Sequence, residues 1–301
     1  MILNEREVEA LLDMDSCIAA MEEALSALAR GEVHNPLRSM VRTPDAPGFL
    51  GLMPAWRGGE RPGWGLKEIC VYPDNPKRGL DTHVGAVLLH RADTGELIGV
   101  FNASAITAIR TAAVSAVATK LLAREDAKTM VIVGPGVQGK SHLRAIPRVR
   151  DLRDVIVLKR GDDVEKAVRG ADIVVLATSS REPVIRREWL KPGVHINAVG
   201  SSVAHAREVD TATMAAASLF VDRRESTTNE SGDYLMARKD GADVRIKAEL
   251  GEILTGAAKG RTSADEITLF KSLGLAIEDL ASAQLLYDKA GREGVGTRVE
   301  F

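Results

Sequence analysis

Thr129–Val133, an unbroken apolar run, leads straight into Gly134-Pro135-Gly136-Val137-Gln138-Gly139-Lys140-Ser141. A β-strand that ends in closely spaced glycines and continues into a helix commits the surrounding chain to α/β architecture. Two chemistries fit these residues. Gly134, Gly136 and Gly139 match G-x-G-x-x-G, in which glycines permit a tight turn and let a pyrophosphate approach a helix N-terminus. Gly134 to Ser141 also match G-x-x-x-x-G-K-S, a phosphate loop in which Lys140 would reach terminal phosphates and Ser141 a magnesium ion. Asp222, after the apolar run Leu219–Val221, would be the aspartate of that site's second motif. A strand–turn–helix with chance glycines is the third option. The loop alone leaves all three open.

Beyond Asp126, further short apolar runs alternate with helical or loop segments: Val155–Leu158, Asp172–Ala177, His195–Val199 and Leu219–Val221. Runs without polar alternation are what parallel strands buried on both faces require. Upstream the texture differs. Ile18, Met21, Leu25 and Leu28 follow helical spacing after a cap at Asp15 or Ser16, and Gly31 stops the helix. Phe49–Met53, Leu66–Tyr72, Val84–Leu89 and Leu97–Phe101 read as strands, with Asp93-Thr94-Gly95 as a hairpin turn. Asn102 to Leu122 predicts one Ala-rich helix capped by Asn102 or Ser104, and Ser272–Lys289 a C-terminal helix.

The 301 residues, 45% apolar and 27% charged, leave room for two domains with separate cores. A net charge of −2 gives no electrostatic case for nucleic acid or an anionic membrane. No apolar run approaches the roughly 18 residues of a spanning helix, and the acidic first dozen residues do not suit a targeting peptide. Cys17 and Cys70 lie far apart in unlike contexts, so a reduced, cytoplasmic protein is expected. Zinc-ligand spacing and the G-x-S-x-G elbow are both missing, so neither a metal site nor a serine hydrolase is expected.

Several ordered segments carry a resemblance. They are Pro36-Leu37-Arg38, Gly48 to Ala55, Gly65-Leu66-Lys67, Ile106 to Ala113, the glycine loop with Val137-Gln138, Gly170 to Val174, Pro192 to Gly200, Glu230-Ser231-Gly232-Asp233 and Phe270 to Gly274. Together they resemble the ornithine cyclodeaminase/μ-crystallin family, and most closely its ketimine reductase members. In relatives the third loop glycine is often Ala and the next positions vary, which makes Lys140-Ser141 a coincidental phosphate-loop match. The resemblance implies an α/β fold with a Rossmann-like dinucleotide domain over 113–275. An α+β substrate and dimerisation domain, 1–112 with 276–301, would flank it, and the protein would be a homodimer.

Members act on small α-imino or α-amino acids. The resemblance places Arg38 and Arg110 at the carboxylate, where a guanidinium fork is the best holder; Arg42, close by, is the rival for Arg38. Lys67 matches the active-site lysine, able to polarise or protonate an imine. Thr82, Thr111, Gly134, Gly136, Val137, Gln138, Thr178, Val199, Gly200 and Ser272 fall at cofactor positions, with His83 beside them. His195 reads as a hydrogen-bonded core histidine. Cyclodeaminase and alanine dehydrogenase members carry an aspartate two residues past Gly200; here Ser202 stands there. Serine orients by hydrogen bonding but is no base at neutral pH.

Lys159 and Arg160 follow the second dinucleotide strand, where NAD enzymes place an acid, so NADP(H) is favoured over NAD(H). From Gly161 the chain passes almost directly to the Asp163–Asp172 segment, whereas relatives insert about a dozen or more residues, a helix and a strand. The reading is thus an NAD(P)-dependent reductase of a pyrroline- or piperideine-2-carboxylate, with Lys67, Arg110 and Ser202 catalytic. Ornithine cyclodeaminase, amino-acid dehydrogenase and a non-enzymatic cofactor-dependent binder are the alternatives.

Overall fold

The computed structural model describes residues 1–300. In chain order the elements are β1 (Ile2–Leu3), α1 (Glu5–Leu11), α2 (Met14–Ala29), β2 (Val33–His34), β3 (Ser39–Val41), β4 (Phe49–Arg57), β5 (Gly63–Val71), β6 (His83–His90), β7 (Leu97–Asn102) and α3 (Ala103–Leu122). Then follow β8 (Thr129–Val133), α4 (Val137–Ala145), β9 (Asp154–Leu158), α5 (Val164–Val168), β10 (Ile173–Leu176), β11 (His195–Ala198), α6 (Thr211–Ala216), β12 (Ser218–Val221), α7 (Arg224–Glu230), α8 (Gly232–Lys239), β13 (Ile246–Glu249), α9 (Leu250–Leu254), β14 (Thr268–Lys271) and α10 (Ala276–Glu293). They form two compact units, Met1–Arg110 with Leu275 to the C-terminus, and Thr111–Gly274. Residue 301, the end of the expected 276–301 segment, lies outside the described residues.

The first unit is a mixed sheet, β1-β7-β6-β5-β4-β2 with β3 on β4, antiparallel except for β1 along β7. Strand alternation sorts its faces. Gly65, Lys67, Ile69, Val87 and Phe101 are buried on the inner face, where α10 packs; a Cβ on Gly65 would fall 3.0 Å from that of Leu280. The outer face presents Trp56, Trp64, Leu66 and Leu88; the two tryptophans sit opposite each other, ring centroids 6.1 Å apart, and Trp64 is 48% exposed. The cap of α2 is Asp13, not Asp15 or Ser16: the helix starts at Met14, and the Asp13 side chain accepts from Ser16 N. Asn102 Oδ1 caps α3 through Ala105 N at 2.9 Å, while the Ser104 hydroxyl is spent on the carbonyl of His83.

Helix α3 corrects one expectation. By length and composition it could cross a membrane, yet 78% of that stretch is buried. A helix apolar all round is equally the mark of a buried core helix.

The second unit is the expected α/β, Rossmann-like sheet, wholly parallel, in the order β13-β12-β14-β11-β10-β8-β9. Val131, Val133, Val174, Leu176, Ile196, Ala198 and Leu269 build its core. Strands β13 and β14 escape the sequence reading because Lys247, Glu249 and Lys271 break their apolar runs. Helix α10 starts at Ala276 rather than Ser272. The chain before it is still tied to the sheet, with Ser272 N donating to Ala198 O, and Leu273 N and Gly274 N to Asp222 Oδ2. Only a turn and the five-residue α5 separate β9 from β10, so β9 is an edge strand with Val155, Ile156 and Val157 each about 40% exposed (38%, 45% and 41%).

Candidate active site

In the first unit, β5 carries Lys67 on its inner face, and the first turns of α3 carry Thr107 and Arg110. The start of α10 supplies Glu278 and Asp279, in the first turn where a helix dipole favours acids. Asn35 Oδ1 accepts from Ile277 N at 2.9 Å, tying the segment before Pro36-Leu37-Arg38 to that same helix start. Lys67 Nζ donates to Thr107 Oγ1 at 2.6 Å and lies 3.2 Å from Asp279 Oδ1. Arg110 Nε donates to the same Asp279 oxygen at 3.1 Å, and Nη1 to Glu278 Oε2 at 2.7 Å. All four charged groups are buried, the most exposed being Arg110 at 4%.

Burial drags the Lys67 pKa down to about 8; Asp279 raises it, while Arg110 and Arg38 lower it. The Arg38 charge thus reaches Lys67, whereas Arg42 stacks on Phe49, 4.1 Å from the ring centroid. Thr82 immediately precedes β6 and His83 opens it, in the same unit, and His83 is kept less basic by desolvation, then by the Lys67 and Arg110 charges. The sequence reading missed Thr107, Glu278 and Asp279. The available signal was two adjacent acids inside the apolar stretch Ala276-Ile277 and Leu280-Ala281, which leaves them no solvent.

In the second unit, the remaining candidates gather at the carboxyl ends of parallel strands, where ligands of open α/β sheets bind. Gly134, Gly136, Val137 and Gln138 follow β8, and Lys159 and Arg160 follow β9. Thr178 follows β10; Val199, Gly200 and Ser202 follow β11; Ser272 follows β14. Thr111, buried at 8%, lies in α3. Gly134 has φ +113°, and a Cβ there would fall 2.4 Å from Ala177 O; a Cβ on Gly139 would fall 2.0 Å from Gly134 O. Gly136 caps α4 without a side chain, and a Cβ on it would meet nothing within 4 Å. This open backbone cradle at a helix N-terminus fits a dinucleotide pyrophosphate.

The phosphate-loop reading does not survive. Helix α4 already starts at Val137, Ser141 is 1% exposed, and the Asp222 carboxylate is spent on the backbone of Leu273 and Gly274. His195 is fully buried against Thr268 Oγ1 at 3.0 Å and driven down to about 3 by burial, hence neutral.

The ornithine cyclodeaminase/mu-crystallin family model matches residues 1–163 and 158–294, two stretches that meet just after β9. The mouse ketimine reductase mu-crystallin is 38% identical over 308 residues, covering 95% of this chain and 96% of the relative. A solved Thermococcus litoralis Δ1-pyrroline-2-carboxylate reductase, in complex with NADH and L-proline, superposes with a TM-score of 0.96 at 36% identity, covering 99% of this chain and 100% of that one. An archaeal alanine dehydrogenase dimer with bound NAD gives a TM-score of 0.93 at 33% identity, covering 100% and 99%. The chain belongs to the ornithine cyclodeaminase/mu-crystallin family.

Proposed function

We propose that the protein reduces a small cyclic ketimine carboxylate, of the pyrroline- or piperideine-2-carboxylate type, to the cyclic amino acid. One observation carries this reading: a fully desolvated lysine with a pKa near 8, hydrogen-bonded to Thr107 and flanked by Arg110 and the charge of Arg38. Relatives of matching size and fold are described as reductases of such imines.

Arg110 and Arg38 hold the substrate carboxylate, the guanidinium of Arg110 being set in orientation by Glu278 and Asp279. Lys67 Nζ hydrogen-bonds the imine nitrogen and gives it a proton as carbon 2 is reduced. Thr107 and Asp279 keep the ammonium aimed and favour its charged form. When bound, the reduced nicotinamide supplies the hydride. Gly134, Gly136, Val137, Gln138, Thr178, Val199, Gly200 and Ser272 would hold that dinucleotide, with Thr111 as a further contact. Ser202 orients by hydrogen bonding where other members place an acid, which disfavours amine deprotonation and so cyclodeaminase or dehydrogenase chemistry.

Lys159 and Arg160, both exposed after β9, support NADP(H) over NAD(H), since two cations suit a 2′-phosphate. The apolar outer face of the first unit's sheet, with Trp64 48% exposed, supports a homodimer through that face. Cys17 and Cys70 are free thiols, which suits the cytoplasm.

The test is NADPH or NADH oxidation on adding Δ1-pyrroline-2-carboxylate, with L-ornithine in a parallel assay for ammonia. Imine-dependent oxidation supports the reading. Ammonia release from ornithine without net cofactor turnover would establish the lyase instead.

A further inference from the structure

We propose that Glu208 is the positioning residue of the dinucleotide crevice: its carboxylate sets the spacing of the chain segments that leave β10 and β11. The proposal rests on reading that crevice as the cofactor site.

Glu208 is fully buried, and each of its oxygens serves one segment. Oε1 accepts from Thr178 N at 2.7 Å and Thr178 Oγ1 at 2.8 Å, after β10. Oε2 accepts from Gly200 N at 2.8 Å and Ser201 N at 3.1 Å, after β11. The two segments meet backbone to backbone, since a Cβ on Gly200 would fall 2.1 Å from Thr178 O and 2.6 Å from Glu208 Oε1. Ser201 in turn donates its hydroxyl to Ala206 O, closing the short loop that carries Ser202.

The carboxylate is itself held from behind. Glu208 N and Val209 N both donate to Asp233 Oδ1, at 2.7 and 2.9 Å. Asp233 Oδ2 lies 2.9 Å from Lys271 Nζ, an ion pair by distance though not aligned as a hydrogen bond. Asp233 and Lys271 are both fully buried. Lys271 ends β14, immediately before Ser272, whose N–H reaches Ala198 O at 3.1 Å. One chain of charge therefore links the exits of β14, β11 and β10.

Three buried ionic groups are a costly way to fill space, and apolar side chains of similar volume stabilise a fold at least as well. What the ionic chain provides is geometry, because each acceptor fixes a donor to within a few tenths of an ångström and each lost partner leaves a buried charge. The chain lies at the strand exits where Thr178, Val199, Gly200, Ser202 and Ser272 stand, and not in the middle of the sheet. Glu208 also consumes the N–H groups of Gly200 and Ser201, so its own negative charge is spent on the protein rather than turned toward a phosphate.

The experiment is dinucleotide titration by fluorescence on wild type and Glu208→Gln, with thermal melts alongside. Glutamine keeps the volume but must point an NH2 at N–H donors on one side. The expected result is a Kd for the preferred dinucleotide raised by about tenfold or more in the folded variant. At saturating cofactor, the KM for the imine should stay within about twofold. Asp233→Asn, which keeps the acceptor oxygen and removes the charge behind Glu208, serves if Glu208→Gln does not fold, and should raise the same Kd by about threefold or more. A wild-type Kd in a folded variant, with only the melting temperature lowered, overturns the inference and leaves Glu208 a structural brace. Failure of the wild type to bind either dinucleotide overturns the cofactor reading and this inference with it.

Discussion

Asp279 Oδ1 stands 3.2 Å from Lys67 Nζ, and the same oxygen accepts from Arg110 Nε at 3.1 Å. A single carboxylate oxygen therefore governs both the proposed proton donor and the proposed carboxylate holder. Breaking a buried arrangement of this kind costs far more than the net worth of making it.

The first consequence is a pH profile. Lys67 must be protonated to donate, and its pKa is lowered to about 8, so kcat/KM should fall about tenfold per pH unit above that value. Asp279 raises the Lys67 pKa and Arg38 lowers it. Asp279→Asn should move the basic limb to lower pH, and Arg38→Ala should move it to higher pH. Limbs that coincide in all three proteins would remove Lys67 as the titrating donor.

Arg110→Lys tests the carboxylate holder. Lysine keeps the charge but loses the planar fork that reaches Glu278, Asp279 and a substrate carboxylate together. The KM for the imino acid should rise roughly 10- to 100-fold, as for the loss of a charge-assisted bond. An unchanged KM would place the substrate carboxylate elsewhere.

Cofactor choice is expected to reside in Arg160. NADPH should bind about tenfold more tightly than NADH, near 1.4 kcal/mol. Arg160→Ala should erase the difference without weakening NADH. Equal binding of the two cofactors by wild type would refute the argument from Lys159 and Arg160.

Trp64→Arg probes the outer sheet face. Trp64 is 48% exposed beside Trp56, and an arginine there would have to give up its water in the proposed interface. Light scattering should show a dimer for wild type and a monomer for the variant. A monomeric wild type would end the dimer proposal.

Much of this architecture can be read from the chain before any coordinates. Thr129–Val133 and its glycines announce the parallel sheet, because strands buried on both faces need uninterrupted apolar side chains. Arg110 stands out as a lone charge in an Ala-rich helix, whereas Lys67, with Glu68 beside it, is marked only by the family resemblance. What stays hidden is pairing across long separations: 212 residues divide Lys67 from Asp279, and helical spacing on α10 says nothing of which cation its acids will meet. Strands β13 and β14 are hidden for a related reason, since Lys271 looks like a surface charge until Asp233 is brought beside it. Glu208 was invisible because a glutamate after a polar loop has no pattern that marks it as buried.

The helix that closes the first unit is made only after the whole of the second unit. Residues 111–274 form one continuous unit and can complete their contacts as soon as they emerge, whereas residues 1–110 lack Glu278, Asp279 and the cover that α10 lays over the inner sheet face. Until then Lys67 and Arg110 have no counter-ions to be buried with. The nascent N-terminal sheet must wait in an open, hydrated form, and the cluster of Lys67, Arg110, Glu278 and Asp279 assembles only after residues 111–274 have been made. A truncation that removes only α10 would thus leave a folded dinucleotide unit attached to a sheet that cannot close, a species for chaperones and proteases rather than a weak enzyme.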